Sequence, residues 1–243
     1  SYNRTAQYLH LLSNSTSGQP TDTWMPSSNN LKPLRVSQYA LGYFKNFKDN
    51  NFELSVEAYY KDMKNVTDFE DGTDLLLNEN VEASILSGIG RSYGTEFYLK
   101  KKYGKITGWL SYTLAKTEKK IEGINNFEWY DTKYDKTHDV SIVLSYQITK
   151  RLNISANWVY YTGNAVTFPS GTYEYDGTTW PYYTERNGHR MPDYHRLDLN
   201  VHLKGKERDR FESSWDLSIY NVYNRYNAYT ITFQESETLP GTN

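Results

Sequence analysis

A two-residue alternation of apolar and polar side chains constrains this chain more than any other feature of its sequence. The stretch 152–160 reads LNISANWVY and the stretch 197–203 reads LDLNVHL, and in both every second side chain is apolar. Successive side chains of a β-strand point to opposite faces of the sheet. The pattern therefore predicts β-strands that have one apolar and one polar face.

Nine stretches of the chain are predicted to be strands. They lie near 2–12, 35–46, 51–64, 90–102, 105–118, 135–148, 152–164, 190–204 and 212–228. Short polar connections near 47–50, 103–104, 149–150 and 205–210 alternate with long ones near 13–34, 65–89, 119–134 and 165–189. This alternation is typical of an all-β, antiparallel, up-and-down transmembrane barrel, whose two ends carry short turns and long loops. A strand needs about 9–11 tilted residues to cross a bilayer, so the predicted strands are long enough.

The composition excludes several classes of protein. The 243 residues include no Cys and carry a formal net charge of −2, which excludes a disulfide framework and gives no basic footprint for nucleic acid. Mean hydropathy is −0.80, and no apolar run approaches the roughly 20 residues of a membrane-spanning helix. A membrane barrel remains compatible with these values, since half of each strand faces a polar lumen.

The strand pattern places charged side chains on the polar faces. We predict that five of them line the lumen: Glu53, Glu57, Glu96, Arg196 and Asp198. The middle parts of the apolar faces contain no Lys, Arg, Asp or Glu, as expected if these faces contact lipid. A cation facing lipid at mid-membrane costs about 2–4 kcal/mol.

Catalytic and metal sites are not indicated by the residues that could form them. Asp68, Glu70, Asp71 and Asp74 surround Gly72, but the spacing is not that of an EF-hand, so a solvated loop is favoured over a calcium site. His195 and His202 fall on opposite faces of one predicted strand, so their side chains are not placed to bind the same metal ion. The sequence has no Ser-His-Asp arrangement and no His-Glu-x-x-His motif. We therefore predict hydrogen bonds and ion pairs in the barrel wall, with no metal, no cofactor and no enzymatic activity.

Aromatic residues are concentrated in two of the long loops. The candidates for contact with a ligand or a partner protein are Trp129, Tyr130, Tyr175, Trp180 and Tyr182. Exposed aromatic faces suit stacking against sugars or peptides and packing on a partner protein. The same side chains could instead pack loop against loop over the mouth of the barrel, and the sequence leaves both interpretations open.

Seven short motifs, in one order, resemble a known family. They are 31–33 (LKP), 93–96 (YGTE), 108–113 (GWLSYT), 134–139 (YDKTHD), 161–164 (YTGN), 190–198 (RMPDYHRLD) and 219–224 (IYNVYN). Together with Gln38 and Gly42-Tyr43, they resemble the C-terminal part of a TonB-dependent outer-membrane receptor. The resemblance is nearest to the group with a carboxypeptidase-regulatory-like domain, which is related to the SusC-like nutrient transporters.

The resemblance implies a fold and a location. Barrels of this family have about 22 strands and a plugged lumen. Residues 1–243 are then the C-terminal portion of the barrel, with about nine strands, and the plug domain and the last strand are expected outside them. An even strand number with a periplasmic C-terminus likewise calls for a further strand. The location implied is the outer membrane of a Gram-negative bacterium, in contact with lipid.

The resemblance also implies active import powered through TonB. The cargo would be a nutrient such as a glycan, a peptide or a metal chelate, and the predicted lumen residues would face the plug. The TonB complex would be contacted through the missing N-terminal part, and a surface lipoprotein is a possible partner by analogy with SusC-like pairs. No nucleic acid partner is implied.

Three alternatives stay open from the sequence. A passive porin-like or adhesin barrel would share the strand pattern and lack a plug. A barrel enzyme would need a convergent catalytic set, which is not found. A soluble glycan-binding β domain would not partition into detergent.

Overall fold

The structure is a computed structural model that describes residues 1–12, 23–70, 73, 81–206 and 211–231. Its regular structure is almost entirely β. The strands, in chain order, are β1 (Tyr2–Gln7), β2 (Leu9–Leu12), β3 (Thr23–Pro26), β4 (Leu34–Phe47), β5 (Phe52–Phe69), β6 (Ile85–Lys101), β7 (Ile106–Lys120), β8 (Tyr130–Asp131), β9 (His138–Gln147), β10 (Leu152–Tyr161), β11 (Ala165–Val166), β12 (Gly171–Tyr175), β13 (Thr178–Tyr182), β14 (His189–Arg190), β15 (Tyr194–Lys204) and β16 (Ser214–Ile219). Two single 3₁₀ turns span Val81–Ser84 and Asn125–Phe127. Over these described ranges, no helix is long and apolar enough to span a membrane.

Nine strands form one antiparallel meander. Their order is β1-β4-β5-β6-β7-β9-β10-β15-β16, so each pairs with the next long strand along the chain, and the short β8 adds to the edge of β7 near its end. The nine predicted strands and the up-and-down antiparallel topology are thereby confirmed. The sheet does not close on itself within the described residues, so a complete 22-stranded barrel stays a prediction. Three two-stranded sheets, β2-β3, β11-β14 and β12-β13, accompany the main sheet, and only the last is a tight hairpin.

Several strand boundaries differ from the predicted ones. The first predicted strand, near 2–12, is divided into two strands. The first of them, β1, pairs with β4, whereas β2 leaves the main sheet and pairs with β3. The strands predicted near 51–64 and 90–102 are longer than expected, since β5 continues to Phe69 and β6 begins at Ile85. The last candidate ends at Ile219, because Asn221 and Asn224 adopt positive φ angles of 53° and 50°, which extended backbone does not allow.

The register gives the sheet two distinct faces. Directly opposed residues of an antiparallel pair lie on the same face. One row across six strands consists of Leu54, Leu99, Leu110, Ile142, Trp158 and Leu197. The adjacent row on the other side consists of Ser55, Tyr98, Ser111, Ser141, Val159 and Arg196. We call these sides the apolar face and the polar face.

Charged residues on the apolar face are confined to strand ends. Within the described residues, those near the long loops are Arg4, Arg35, Asp62, Lys64, Arg91, Lys116, Glu118 and Lys120, and those near the short turns are Lys45 and Lys101. The middle of the face is free of them, as the sequence pattern predicts. This distribution is the one required of a surface that contacts hydrocarbon between two aqueous boundaries.

A β-bulge at Asn65 changes which side chains face inward at the long-loop end. The register shifts between Lys64 and Val66, and Asn65 has a φ of 59°. The Asn65 amide donates a hydrogen bond to the carbonyl oxygen of Pro33 at 2.9 Å. One extra residue reverses the alternation of side chains. Val66 and Asp68 therefore lie on the polar face.

Candidate functional site

The long loops meet over a small apolar core at one end of the sheet. Val66, Ile121, Ile124 and Tyr130 are buried together, and Leu34, Met63 and Leu86 pack against them. Val66 comes from the bulged end of β5, and Ile121 and Ile124 follow β7 directly. This core holds the loop between β7 and β9 against the sheet.

Arg186, from the loop between β13 and β14, joins that core to the end of β5. Its guanidinium donates to Asp68 Oδ1 at 2.6 Å and to the carbonyl oxygen of Phe69 at 2.8 Å, and it lies over the Phe69 ring. Its backbone N–H and carbonyl are both bonded to the side-chain amide of Asn125, at 2.7 and 3.0 Å. Tyr130 also donates to Asp68, at 2.9 Å. Two long loops are thus connected through one buried arginine.

Arg190 forms a second connection between the same loops. Its Nη2 contacts Asp131 Oδ2 at 2.6 Å and also bonds the Asp135 carboxylate. Asp135 is only 2% exposed, and its other oxygen accepts a hydrogen bond from the backbone of Thr117 at 2.6 Å. Because hydrogen bonds to charged groups are the stronger class, Arg190 and Asp135 fix β14 to the end of β7.

A third charged group lies near the long-loop ends of β6 and β7, where Arg91 stands opposite Glu118 in the register. Glu118, which is 6% exposed, accepts from Arg91 at 2.7 Å and lies 3.2 Å from Lys116 Nζ. Burial by itself would raise the pKa of Glu118, but the hydrogen bonds and charges of Arg91 and Lys116 outweigh it and hold that pKa below its usual value. The Arg91 guanidinium lies 4.1 Å from the ring centroid of Trp129.

The predicted aromatic contact residues fall into two environments. Trp129 is covered by Arg91, and Tyr130 is 5% exposed and bonded to Asp68, so both stabilise the loop in this conformation. Tyr175, Trp180 and Tyr182 lie instead on the β12-β13 hairpin and are 72%, 50% and 45% exposed. Contact of any of the five with a ligand or partner stays a prediction, and the hairpin presents the accessible ones.

The five predicted lumen residues all lie on the polar face, and three of them have ionic partners. Glu53 contacts Lys102 at 3.0 Å. Arg196 contacts Asp198 at 2.9 Å and also donates to the hydroxyl of Tyr220, while Asp198 accepts from the backbone of Asn221. These contacts are ion pairs and hydrogen bonds on the polar face, and the place of these three residues against a plug stays a prediction.

Glu57 and Glu96 differ from those three, because they stand directly opposite each other in the register of β5 and β6. The hydroxyl of Ser55 donates to Glu57 at 3.3 Å. In the described residues neither carboxylate makes an ion pair. Their role opposite a plug stays a prediction.

The histidines and acidic loop residues have structural contacts. His138 bonds the Tyr112 hydroxyl at 2.9 Å, and the register places His195 and His202 on opposite faces, as predicted. Among the residues that the structure describes, no three His, Asp or Glu side chains are grouped so as to hold a metal ion. Asp68 is bound to Arg186 rather than solvated, whereas Asp71, Gly72 and Asp74 lie outside the described residues.

Sequence reasoning missed the two arginines that connect the loops. Arg186 lies 118 positions from Asp68, and Arg190 lies 55 positions from Asp135, so no local spacing marks either pair. The available signal was that Arg190 and Asp135 each belong to one of the seven motifs noted above.

Comparisons with known proteins agree with this architecture. Residues 1–224 match the family described as TonB dependent receptor-like, beta-barrel. Comparison with curated protein sequences gives no match.

Three solved structures illustrate the similarity of fold. The ferric-catecholate import receptor Fiu from E. coli is 18% identical with a TM-score of 0.59, covering 95% of this chain and 29% of that one. A complex of FpvAI with a pyocin gives 12% identity, a TM-score of 0.63 and coverage of 96% and 28%. The iron transporter FrpB from Neisseria meningitidis is 15% identical with a TM-score of 0.53, covering 88% of this chain and 30% of that one. The chain thus spans less than a third of the length of these relatives.

The family match extends over most of the sequence, and the fold is similar to that of the solved receptors. The chain therefore belongs to the TonB dependent receptor-like β-barrel family, whose barrels lie in the outer membrane of Gram-negative bacteria and serve transport rather than catalysis.

Proposed function

We propose that this chain forms barrel wall and outward-facing loops of a protein that imports a nutrient across the outer membrane, with energy supplied through TonB. The family match carries the proposal, since it covers residues 1–224. The two-faced sheet supports it, because one face suits lipid and the other suits a polar lumen. The nutrient class stays open between a glycan, a peptide and a metal chelate.

Iron chelates are one candidate cargo. Fiu is named as a ferric-catecholate import receptor, and another similar structure is the ferripyoverdine receptor of the outer membrane of Pseudomonas aeruginosa, at 13% identity and a TM-score of 0.54. These identities support a shared fold and leave the ligand to be tested. We propose that the polar-face carboxylates Glu57 and Glu96 contact the plug domain of the whole protein, since like charges opposed across two strands are unfavourable without a cationic partner.

Energy dependence separates import from the passive alternative. Accumulation of a ferric catecholate, a maltooligosaccharide and an oligopeptide is compared in cells that produce the full-length protein, with and without a functional TonB. We expect at least one compound to accumulate only when TonB is active. Accumulation that persists without TonB would contradict the proposal and favour a passive porin.

A vesicle assay tests the same point without knowledge of the cargo. Liposomes that contain the full-length protein are placed in an isotonic sugar solution, and swelling is followed by light scattering. A plugged importer leaves the liposomes unchanged, whereas an open porin lets sugars enter and the liposomes swell. Co-purification of a surface lipoprotein with the full-length protein tests the proposed lid, and its consistent absence would remove that partner.

A further inference from the structure

The β12-β13 hairpin presents four aromatic side chains on one face. The register opposes Tyr173 to Trp180 and Gly171 to Tyr182, so Tyr173, Tyr175, Trp180 and Tyr182 share that face. Tyr173 is 53% exposed, similar to its three neighbours. In the described part of the chain, none of the four rings makes a side-chain hydrogen bond, a ring contact or a cation–π contact. Such a face is available to an external partner.

The hairpin is built to hold these rings in place. Asp176 and Gly177 form the turn with φ angles of 52° and 70°, the left-handed pair that suits a tight hairpin. At Gly171 a Cβ would come within 2.5 Å of the Tyr182 ring, so the missing side chain lets that ring lie close to the backbone. Ser170 and Thr184 close the base of the hairpin, with the Ser170 N–H bonded to the carbonyl of Tyr182 at 2.8 Å.

The charged residues within the hairpin and next to it in the sequence have one sign, although Glu174 lies on the opposite face of the hairpin from the rings. Between Arg151 and Arg186 the sequence contains no Lys, Arg or His, while Glu174, Asp176 and Glu185 are acidic. Arg186 is the first cationic residue after the hairpin. Its side chain is buried against Asp68, so it does not neutralise the carboxylates of the hairpin. Fields of exposed charges extend over roughly 8–10 Å at physiological salt, so Glu174 and Asp176, which are neighbours of Tyr173 and Tyr175 in the sequence, act on a ligand at the rings even though Glu174 is on the other face.

We propose that the aromatic face of the hairpin binds a basic polypeptide segment, with Lys or Arg side chains placed over the rings. A cation over the face of an aromatic ring is attracted by the ring quadrupole, most strongly for Trp. The surrounding carboxylates add a long-range attraction and repel anionic ligands. The proposal concerns binding at this face and does not depend on whether the barrel imports what it binds.

Binding of a labelled hexa-arginine peptide to the full-length protein in detergent tests the proposal. We expect saturable binding that weakens as salt is raised, with no binding of hexaglutamate or maltohexaose. Trp180→Ala should weaken binding about tenfold, since a desolvated cation–π contact is worth about 1–2 kcal/mol. Trp180→Phe should retain part of the affinity. Glu174→Gln with Asp176→Asn should weaken binding and flatten its dependence on salt.

Two variants at the opposite end of the sheet are matched controls. Tyr103→Ala removes a ring that is 63% exposed, and Asp49→Asn removes an exposed carboxylate from a turn, so neither should change binding. Heat-modifiable gel mobility confirms that every variant is folded. Absence of hexa-arginine binding at about 1 mM contradicts the proposal. The proposal is also contradicted if Trp180→Ala leaves hexa-arginine binding unchanged. Binding of maltohexaose without binding of hexa-arginine contradicts it as well, and would assign the face to neutral glycans.

Discussion

At the scale of single residues, Arg186 has the largest expected influence on the long-loop end. Its side chain is 8% exposed and that of Asp68 is 12% exposed. Removing one member of a buried ion pair leaves an uncompensated charge and costs about 3–5 kcal/mol, whereas exposed pairs contribute about 0–1 kcal/mol. The two loops that Arg186 connects therefore depend on it for their common structure.

Arg186→Met should release these loops while the main sheet stays folded. We expect faster hydrogen exchange at residues 121–131 and faster proteolysis of the same loop, because the poorly hydrated Asp68 carboxylate loses its closest cation and keeps only Lys119, whose Nζ lies 3.7 Å away, and the Tyr130 hydroxyl. Lys102→Met, which breaks the more exposed pair with Glu53, is the matched control and should change neither quantity. Equal effects of the two variants would show that burial of the Arg186 pair is unimportant.

Glu118 makes the same end of the sheet sensitive to acid. Its pKa is lowered in the folded protein relative to its ordinary value of 4.5, so its ion pairs stabilise the fold at pH values above that. This contribution is lost as the pH falls through the lowered folded-state pKa. We expect hydrogen exchange near Arg91 and Lys116 to accelerate in that acid range in the wild type. Glu118→Gln should exchange faster already at neutral pH and show less acid dependence, and an unchanged acid response would assign the effect to other carboxylates.

At the scale of elements, the bulge at Asn65 decides the position of two loop-facing side chains. Asn65→Val should disfavour the bulge, because a β-branched residue does not tolerate a φ of 59°. Regular pairing with the same number of residues would turn Val66 and Asp68 to the apolar face and break the buried contact between Asp68 and Arg186, so the substitution should reproduce the loop opening of Arg186→Met in proteolysis. Asn65→Gly tolerates the positive φ, so it should preserve the register and cost much less.

At the scale of the whole molecule, the two faces of the sheet predict opposite tolerance of charge. Leu110 and Ser111 are neighbours in β7, the first on the apolar face and the second on the polar face. Leu110→Arg should destabilise the assembled barrel by about 2–4 kcal/mol if that row lies near the bilayer centre, measured by urea unfolding in lipid. Ser111→Arg is the matched control and should cost less. Equal costs would mean that the apolar face does not contact lipid.

Sequence reasoning succeeded where the evidence was local. The alternation in 152–160 and 197–203 predicted β10 and β15, and the same parity separated Arg196 and Asp198 from the apolar row that contains Leu197. It failed at Asn65, where one inserted residue interrupts an otherwise regular pattern. It also left open whether Trp129 and Tyr130 are exposed, because burial there depends on Arg91 and Asp68 from other strands.

The sequence by itself determined the meander, its two faces and its two unlike ends. These features follow from alternation of side chains within each strand and from the lengths of the connections, which are properties of neighbouring residues. Only the tertiary structure decided that Arg186 meets Asp68, that Tyr130 is buried, and that four rings share one face of the β12-β13 hairpin. Contacts between loops join residues that are distant along the chain, and their geometry is set by packing, which no local pattern records.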